Sequence, residues 1–122
     1  MADHIIKGQN GEALAVTFLS EKGYQILETN WRFKRSEVDI IAYDGKILVF
    51  IEVKTRATDY FGAPEESINE KKKALLADAA SAYMELIDHD WEIRFDYVSI
   101  ILEDADNFKL KHFKDCFFPG MF

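Results

Sequence analysis

Two stretches decide the fold of this chain: Ser36-Glu37-Val38-Asp39-Ile40-Ile41 and Phe50-Ile51-Glu52-Val53-Lys54. Between them lies Asp44-Gly45, a strong signal for a two-residue hairpin turn. Placing residues 44 and 45 in the turn pairs Tyr43 with Lys46 and fixes the register of the two strands. The sequence therefore predicts an antiparallel hairpin with strands at 37–43 and 46–55.

This register also predicts which side chains share a face, because directly opposed residues project to the same side of a sheet. Asp39 would oppose Phe50, and Glu37 would oppose Glu52. The ionisable residues of one side would be Glu37, Asp39, Glu52 and Lys54. The other side would be uniformly apolar and would pack against a helix; it would carry Val38, Ile40, Ala42, Ile47, Val49, Ile51 and Val53.

Carboxylates that face one another across a sheet destabilise it, so this cluster needs a compensating charge. A hard divalent cation held by Asp39, Glu52 and the Val53 carbonyl, with Lys54 beside it, would supply that charge. Such a cation polarises a phosphoryl oxygen and activates water, and a lysine neutralises developing charge. The residues thus predict metal-assisted phosphodiester hydrolysis with Mg²⁺ or Mn²⁺. The alternative is a pair of structural acids neutralised by Lys54 and Arg56.

Glu12 is a further candidate for the same site. Residues 4–22 are predicted to form a helix that ends at Gly23, and Glu12 shares a stripe with Ala15 and Leu19 that should face the sheet. Acids are seldom buried unless they are paired or bind a metal. The alternative is a carboxylate at the helix edge that reaches solvent.

The rest of the chain predicts a mixed α/β fold. A strand is expected at 24–33, a second helix from Pro64 to about Ile87, and further strands at 92–102 and 108–113. The helix between the third and fourth strands should bring the fourth strand in parallel. The prediction is a mixed central sheet of four to five strands flanked by helices, in the order α-β-β-β-α-β-β, as one domain over residues 1–122.

Charge restricts the partners of this protein. A net charge of −7 argues against a protein that coats nucleic acid. The charge is unevenly distributed, however, because eight acids between residues 85 and 106 face only Arg94, whereas residues 31–56 are rich in Lys and Arg. One basic face is therefore allowed. The residues predicted to contact nucleic acid are Arg32, Lys34, Arg35, Arg56 and Lys72.

Other functional classes receive no support from the sequence. No apolar run approaches the roughly 20 residues of a membrane span, so no membrane partner is expected. The start of the chain does not resemble a signal peptide, and one cysteine, Cys116, fits a reducing compartment, so we expect a cytoplasmic protein. His4, His89 and His112 lack metal-ligand spacing and are expected at the surface or near a terminus.

Six motifs, in order, resemble the YraN-like family of endonucleases over residues 8 to about 100. They are Gly8-Gln9-Asn10-Gly11-Glu12, Asn30-Trp31-Arg32, Glu37-Val38-Asp39-Ile40-Ile41-Ala42, Val49-Phe50-Ile51-Glu52-Val53-Lys54-Thr55-Arg56, Gly62-Ala63-Pro64 and Arg94-Phe95-Asp96. Ser36 stands where the family usually has glycine.

That family is similar to the PD-(D/E)XK nucleases, which have the restriction endonuclease-like fold, and to archaeal Holliday-junction resolvases. The resemblance implies that Asp39 and Glu52 bind metal, that Lys54 assists catalysis and that Glu12 completes the site.

Two hypotheses from different classes follow. The first is a Mg²⁺-dependent nuclease that acts on DNA, with branched DNA among the candidate substrates, and that works as a homodimer. The second is a catalytically inactive module that keeps the nuclease fold and binds nucleic acid or a protein partner. An intact set of Asp39, Glu52 and Lys54 favours the enzyme, whereas the low pI favours the module.

Overall fold

The computed structural model describes residues 9–57, 69–104 and 106–116, and the elements follow the predicted order. The helices are α1 (Gln9–Glu21) and α2 (Glu70–Leu86), and the strands are β1 (Gln25–Phe33), β2 (Ser36–Asp44), β3 (Ile47–Arg56), β4 (Ile93–Leu102) and β5 (Phe108–Phe113). The strands begin and end within one residue of the predicted bounds. The predicted helix start at Pro64, the motif at 62–64 and His4 lie outside the described residues.

The sheet has the order β1-β2-β3-β4-β5, and all neighbours are antiparallel except β3 and β4, which run parallel. The predicted mixed α/β fold is confirmed, with five strands. Each face of the sheet carries one hydrophobic core. On one face, Ala15 and Leu19 of α1 pack with Val49 and Val98, and on the other, Leu76 and Tyr83 of α2 pack with Phe50. That the whole chain is one domain stays a prediction. No helix within the described ranges is long and apolar enough to cross a membrane.

Both helix boundaries follow from local chemistry. At the end of α1, the N–H of Tyr24 donates to the Leu19 carbonyl (3.0 Å) and that of Gly23 donates to Ser20 (3.0 Å). Gly23 has a φ of +94°, so the helix ends in the paired bonds that a glycine in this conformation permits. At the start of α2, the side chain of Asn69 accepts from the Lys72 N–H (2.8 Å), which caps the first turn.

The hairpin between β2 and β3 has a different register from the predicted one. Asp44 pairs with Ile47, so Gly45 and Lys46 form the turn, and Tyr43 faces Leu48 rather than Lys46. Gly45 occupies the first central position with a φ of +63°, the arrangement that a type II′ turn requires. The prediction placed this glycine second in the turn.

The predicted uniform apolar face is also wrong at Val38. Ile40 packs in the α1 core, but Val38 packs in the α2 core together with Ile41. A regular strand places residues 38 and 40 on one face, so β2 is irregular between them. The neighbouring strand is irregular at the same level, because Asn30 of β1 has a φ of +53°. These two irregularities shape the site.

Candidate functional site

The acidic residues meet where β2 separates from β3. The described ladder between these strands ends at the pair Ile40 and Ile51, so Asp39 and Glu52 are the first residues beyond it. Here the N–H of Val53 donates to Asp39 Oδ2 (2.8 Å) instead of to a backbone carbonyl. Asp39 therefore lies beside Glu52, not opposite Phe50 and diagonal to Glu52 as predicted.

Glu12 reaches this gap from α1. The Glu12 carboxyl group lies near Asp39, whose charge raises the pKa of Glu12, and near the Asn30 side chain, which lowers it. Glu12 is half-buried, so it does not simply extend from the helix edge into solvent. No sequence signal pointed to Asn30, whose side chain reaches Glu12 because of the irregularity in β1.

Lys72 reaches the same gap from α2, on the other face of the sheet. Its ammonium group forms an ion pair with Glu52 Oε2, and the two side chains are 44% and 11% exposed. Lys72 was predicted as a contact for nucleic acid, but in this state it is the counterion of a candidate catalytic residue. Lys54, also considered as the partner of Glu52, is an exposed side chain that acts on Glu52 through its charge alone.

The electrostatics of the gap favour protonated carboxyl groups. Burial, followed by the charge of Glu52, raises the pKa of Asp39 to about 6. Burial also raises the pKa of Glu52, and the hydrogen bond from Lys72 opposes that rise. The pKa of Glu12 is raised by burial and by the charge of Asp39, and the neighbouring Asn30 side chain opposes that rise. Three acids thus share a space in which full ionisation is unfavourable.

The donor set of this gap fits a cation that keeps most of its water ligands. Glu52 Oε1 is buried and has no hydrogen-bond partner among the described residues, so it is available as a ligand. The described ranges contain no group of three or more His, Cys, Asp or Glu side chains arranged to enclose a metal ion. Mg²⁺ is commonly bound through one or two carboxylates plus water. Asp39 and Glu52 match that requirement, and Val53 contributes its N–H to Asp39.

The basic residues predicted to contact nucleic acid are distributed over four places. Lys34 and Arg35 form the tip of the β1–β2 turn, where Phe33 pairs with Ser36. Arg32 lies on β1 within 3.9 Å of Glu37. The others are Lys72, in the gap, and Arg56, at the end of β3.

The Ser36 hydroxyl donates to the Leu75 carbonyl (3.0 Å) and ties the β1–β2 turn to α2. The serine that replaces the usual glycine of the resembled family therefore has a structural partner. It fixes the position of the neighbouring Lys34 and Arg35 relative to the helix.

A second polar cluster was missed by the sequence analysis. Asp96 is fully buried and accepts from Arg94 Nε (2.9 Å), His112 Nε2 (2.8 Å) and the Asp115 N–H (2.9 Å). The expectation that His89 and His112 lie at the surface is wrong, since His89 is 2% exposed and the His112 side chain 3%. An acid and an arginine inside a buried strand require such partners, a signal that could have found this cluster.

The mixed sheet and the carboxylates at its gap define an α/β protein with an acidic site between two strands. The chain belongs to the uncharacterised protein family UPF0102, whose model matches residues 11–100. The resemblance to the YraN-like family is thereby confirmed.

Several relatives are similar over nearly the full chain. The UPF0102 protein FP2501 of Flavobacterium psychrophilum is 47% identical and covers 97% of this chain and 98% of its own length. The UPF0102 proteins of Bacteroides thetaiotaomicron (42%, 100% of both chains) and Chlorobaculum tepidum (40%, 93% and 92%) are also similar.

Proposed function

We propose that this protein is a Mg²⁺-dependent nuclease that hydrolyses phosphodiester bonds in DNA, with branched DNA as a candidate substrate. The observation that carries the proposal is the gap between β2 and β3, where Asp39 and Glu52 lie side by side and Glu12 joins them. Three neighbouring carboxyl groups with raised pKa values destabilise the folded protein when they ionise. A bound cation would offset this repulsion, so the cluster favours a metal site.

Each residue has a distinct role in the proposed reaction. Asp39 and Glu52 would hold the ion, which supplies a polarised phosphoryl oxygen and a water of lowered pKa when it is bound. Glu12, whose charge interacts with that of Asp39, would add a third carboxylate beside the ion. Lys54 lies two residues beyond Glu52 and is exposed, so it can reach a phosphate group that approaches from solvent. Its positive charge would stabilise the negative charge that develops on the phosphoryl oxygens.

A cleavage screen tests this proposal. Single-stranded, duplex, flap and four-way DNA would be incubated with the protein and Mg²⁺, and with Asp39→Asn and Glu52→Gln as matched variants. We expect cleavage of at least one substrate by the natural sequence, loss of cleavage in both variants, and no cleavage in EDTA. Cleavage that persists in both variants would exclude this site.

The ion pair between Lys72 and Glu52 favours a second candidate, a module that binds without catalysis. In such a module Lys72 would neutralise Glu52 permanently, and no cation would enter. Calorimetric titration with Mg²⁺ separates the two functions. Binding that disappears in Asp39→Asn supports the nuclease, and the absence of binding supports the module. A bound ion should also stabilise the folded protein and raise its melting temperature. When the Mg²⁺ concentration is 100 times the dissociation constant, the free energy of unfolding should increase by about 2.7 kcal/mol.

A further inference from the structure

A cavity of about 290 Å³ lies beside the acidic gap, between the β1–β2 turn and the first turns of α2. Arg35 and Ser36 line it on the side of the turn, and Asn69, Lys71 and Lys72 line it on the side of the helix. We name it the basic cavity. Its volume is sufficient for a phosphate group with part of the attached sugar.

The charges around the basic cavity favour an anion. Three cationic side chains line it against one carboxylate, Glu37, which has Arg32 within 3.9 Å. The N-terminus of α2 adds partial positive charge at the same place. Lys71 and Arg35 are exposed, so their charged groups are accessible to a ligand from solvent.

The walls of the basic cavity are fixed, and its length is limited. The bond from Ser36 to the Leu75 carbonyl holds the turn against the helix. The groove continues past Phe33 into a cavity of about 170 Å³ lined by Lys34, Arg35 and Asp78, and then into one lined by Lys34, Asp78 and Glu85. In this last cavity two carboxylates face one lysine, which disfavours a further phosphate. The groove thus accommodates one phosphodiester group at its basic end rather than a long strand.

Lys72 belongs to both places. It lines the basic cavity, yet its ammonium group pairs with Glu52 in the acidic gap. A cation bound at Glu52 would remove the need for this ion pair, and a phosphate group in the cavity would offer Lys72 a new anionic partner. The two ligands would therefore favour each other through one side chain.

We infer that the basic cavity is a subsite for one phosphodiester group of a nucleic acid strand and that Lys72 couples it to the acidic gap. Lys72 neutralises Glu52 in the absence of metal and pairs with the phosphate when a divalent cation binds. The inference rests on the proposed function for the identity of the cation, but the subsite itself is testable without metal.

The first experiment maps binding of the thymidine dinucleotide d(TpT) by amide chemical shifts in EDTA. We expect shifts at residues 35–37 and 69–72, none with thymidine alone, and smaller shifts at the same amides with inorganic phosphate. The Arg35→Gln/Lys71→Gln variant should bind d(TpT) about tenfold more weakly or worse, since charge-assisted bonds are lost. The control Lys46→Gln/Lys109→Gln removes the same charge elsewhere and should bind normally.

The second experiment tests the coupling with Lys72→Gln, and with Lys72→Met as an apolar variant of similar length. Without nucleotide, both should bind Mg²⁺ about fivefold more tightly or better, because Glu52 is freed. In saturating Mg²⁺, their affinity for d(TpT) should fall by a similar factor, because the phosphate loses Lys72 as a partner. Changes in the same direction for both ligands would overturn the coupling. In the first experiment, the subsite would be overturned if d(TpT) did not bind or if it shifted amides elsewhere. It would also be overturned if thymidine gave equal shifts, or if the Arg35→Gln/Lys71→Gln variant bound d(TpT) normally. If no variant binds Mg²⁺, the nuclease proposal fails, but the dinucleotide result still decides the subsite.

Discussion

Asp39 carries much of the electrostatic cost of the acidic gap. Its carboxylate is fixed by the Val53 N–H, yet burial and Glu52 raise its pKa from 3.8 to about 6. The folded protein therefore binds this proton more tightly than the unfolded chain does. Stability contributed by the bound proton is present at low pH and is lost as pH rises from about 4 to about 6.

Asp39→Asn should therefore stabilise the metal-free protein at neutral pH. Asparagine can still accept from Val53 but carries no charge, and the gain at pH 7.5 should be about 2–3 kcal/mol. The gain should vanish near pH 4.5, where the natural side chain is protonated. Urea unfolding in EDTA across this pH range measures the difference.

Asp78→Asn, at an exposed position of α2, is the matched control and should change stability little at any pH. A neutral-pH loss of stability in Asp39→Asn would mean that the carboxylate is structural.

Lys54 provides a separate test of the chemistry. If it acts on charge that develops during the reaction, Lys54→Ala should lower turnover roughly 10²- to 10³-fold while metal and substrate binding stay nearly intact. Lys54→Arg should restore little, because guanidinium differs in shape and reach. Single-turnover cleavage and calorimetry measure these quantities on any substrate that the natural sequence cuts. Lys46→Ala, at the opposite end of the hairpin, is the control, and wild-type turnover in Lys54→Ala would remove Lys54 from the mechanism.

At the scale of single elements, alternation in the hairpin predicted most of the site but not its irregularities. The acids were grouped correctly because a register error of two residues leaves every side chain on the same face. The irregularity in β2 then placed Asp39 within reach of Glu12, from the other face. A residue such as Asn30 with positive φ carries no periodic signal, so neither this break nor its partner in β2 could be predicted.

Close packing of α1 on β3 positions Glu12. A Cβ atom added to Gly11 would lie 3.1 Å from the Thr55 Cβ and would clash with the Thr55 hydroxyl oxygen. Alanine in a helix normally stabilises relative to glycine by up to about 1 kcal/mol. Gly11→Ala should instead destabilise by about 1–3 kcal/mol, because the helix must move away from the sheet. Thermal or urea unfolding measures the effect.

A double-mutant cycle identifies the cause. Thr55→Ala removes the clashing oxygen, so combining it with Gly11→Ala should recover much of the loss and give a clear coupling energy. Ser20→Ala, on the exposed side of the same helix, should be close to neutral. Additive losses at Gly11 and Thr55 would show that this contact does not position the helix.

At the scale of the whole molecule, the order of the elements and the parallel direction of the fourth strand were predictable. The charges of Arg94 and Asp96 in an apolar strand also indicated that buried partners exist, but not which residues they are. The Asp96 cluster joins residues far apart in the chain: Arg94 also donates to Asp44 Oδ2 (3.0 Å) and to the Tyr24 hydroxyl (2.8 Å). Although burial raises the pKa of Asp96, hydrogen bonds from His112 and Arg94 lower it by more. Only the folded arrangement reveals such partners.

Asp96→Asn should be among the most destabilising single substitutions, at about 3–5 kcal/mol, because it leaves Arg94 without its main buried counterion. The lowered pKa means that Asp96 stabilises the fold above pH 3.8 and that this contribution is lost at lower pH. Together with Asp39, whose contribution declines as pH rises above about 4, it predicts a stability maximum for the metal-free protein near pH 4. Glu103→Gln, which breaks an exposed pair with Lys109, is the control and should cost less than about 1 kcal/mol. Near-neutral behaviour of Asp96→Asn would contradict this role.

The parallel pairing of β3 with β4 has a consequence for how the chain acquires its structure in time. Strands β1, β2 and β3 follow one another through short turns, so they can associate early, whereas β4 must return across the intervening helix to pair Leu48 with Ile93. Val49→Ala in the hairpin should slow refolding, while Val98→Ala in β4 should mainly accelerate unfolding, as stopped-flow kinetics can measure. Equal effects on refolding would contradict this order. If it holds, the hairpin brings Asp39 and Glu52 together before the sheet is complete, so their charge repulsion acts early in refolding.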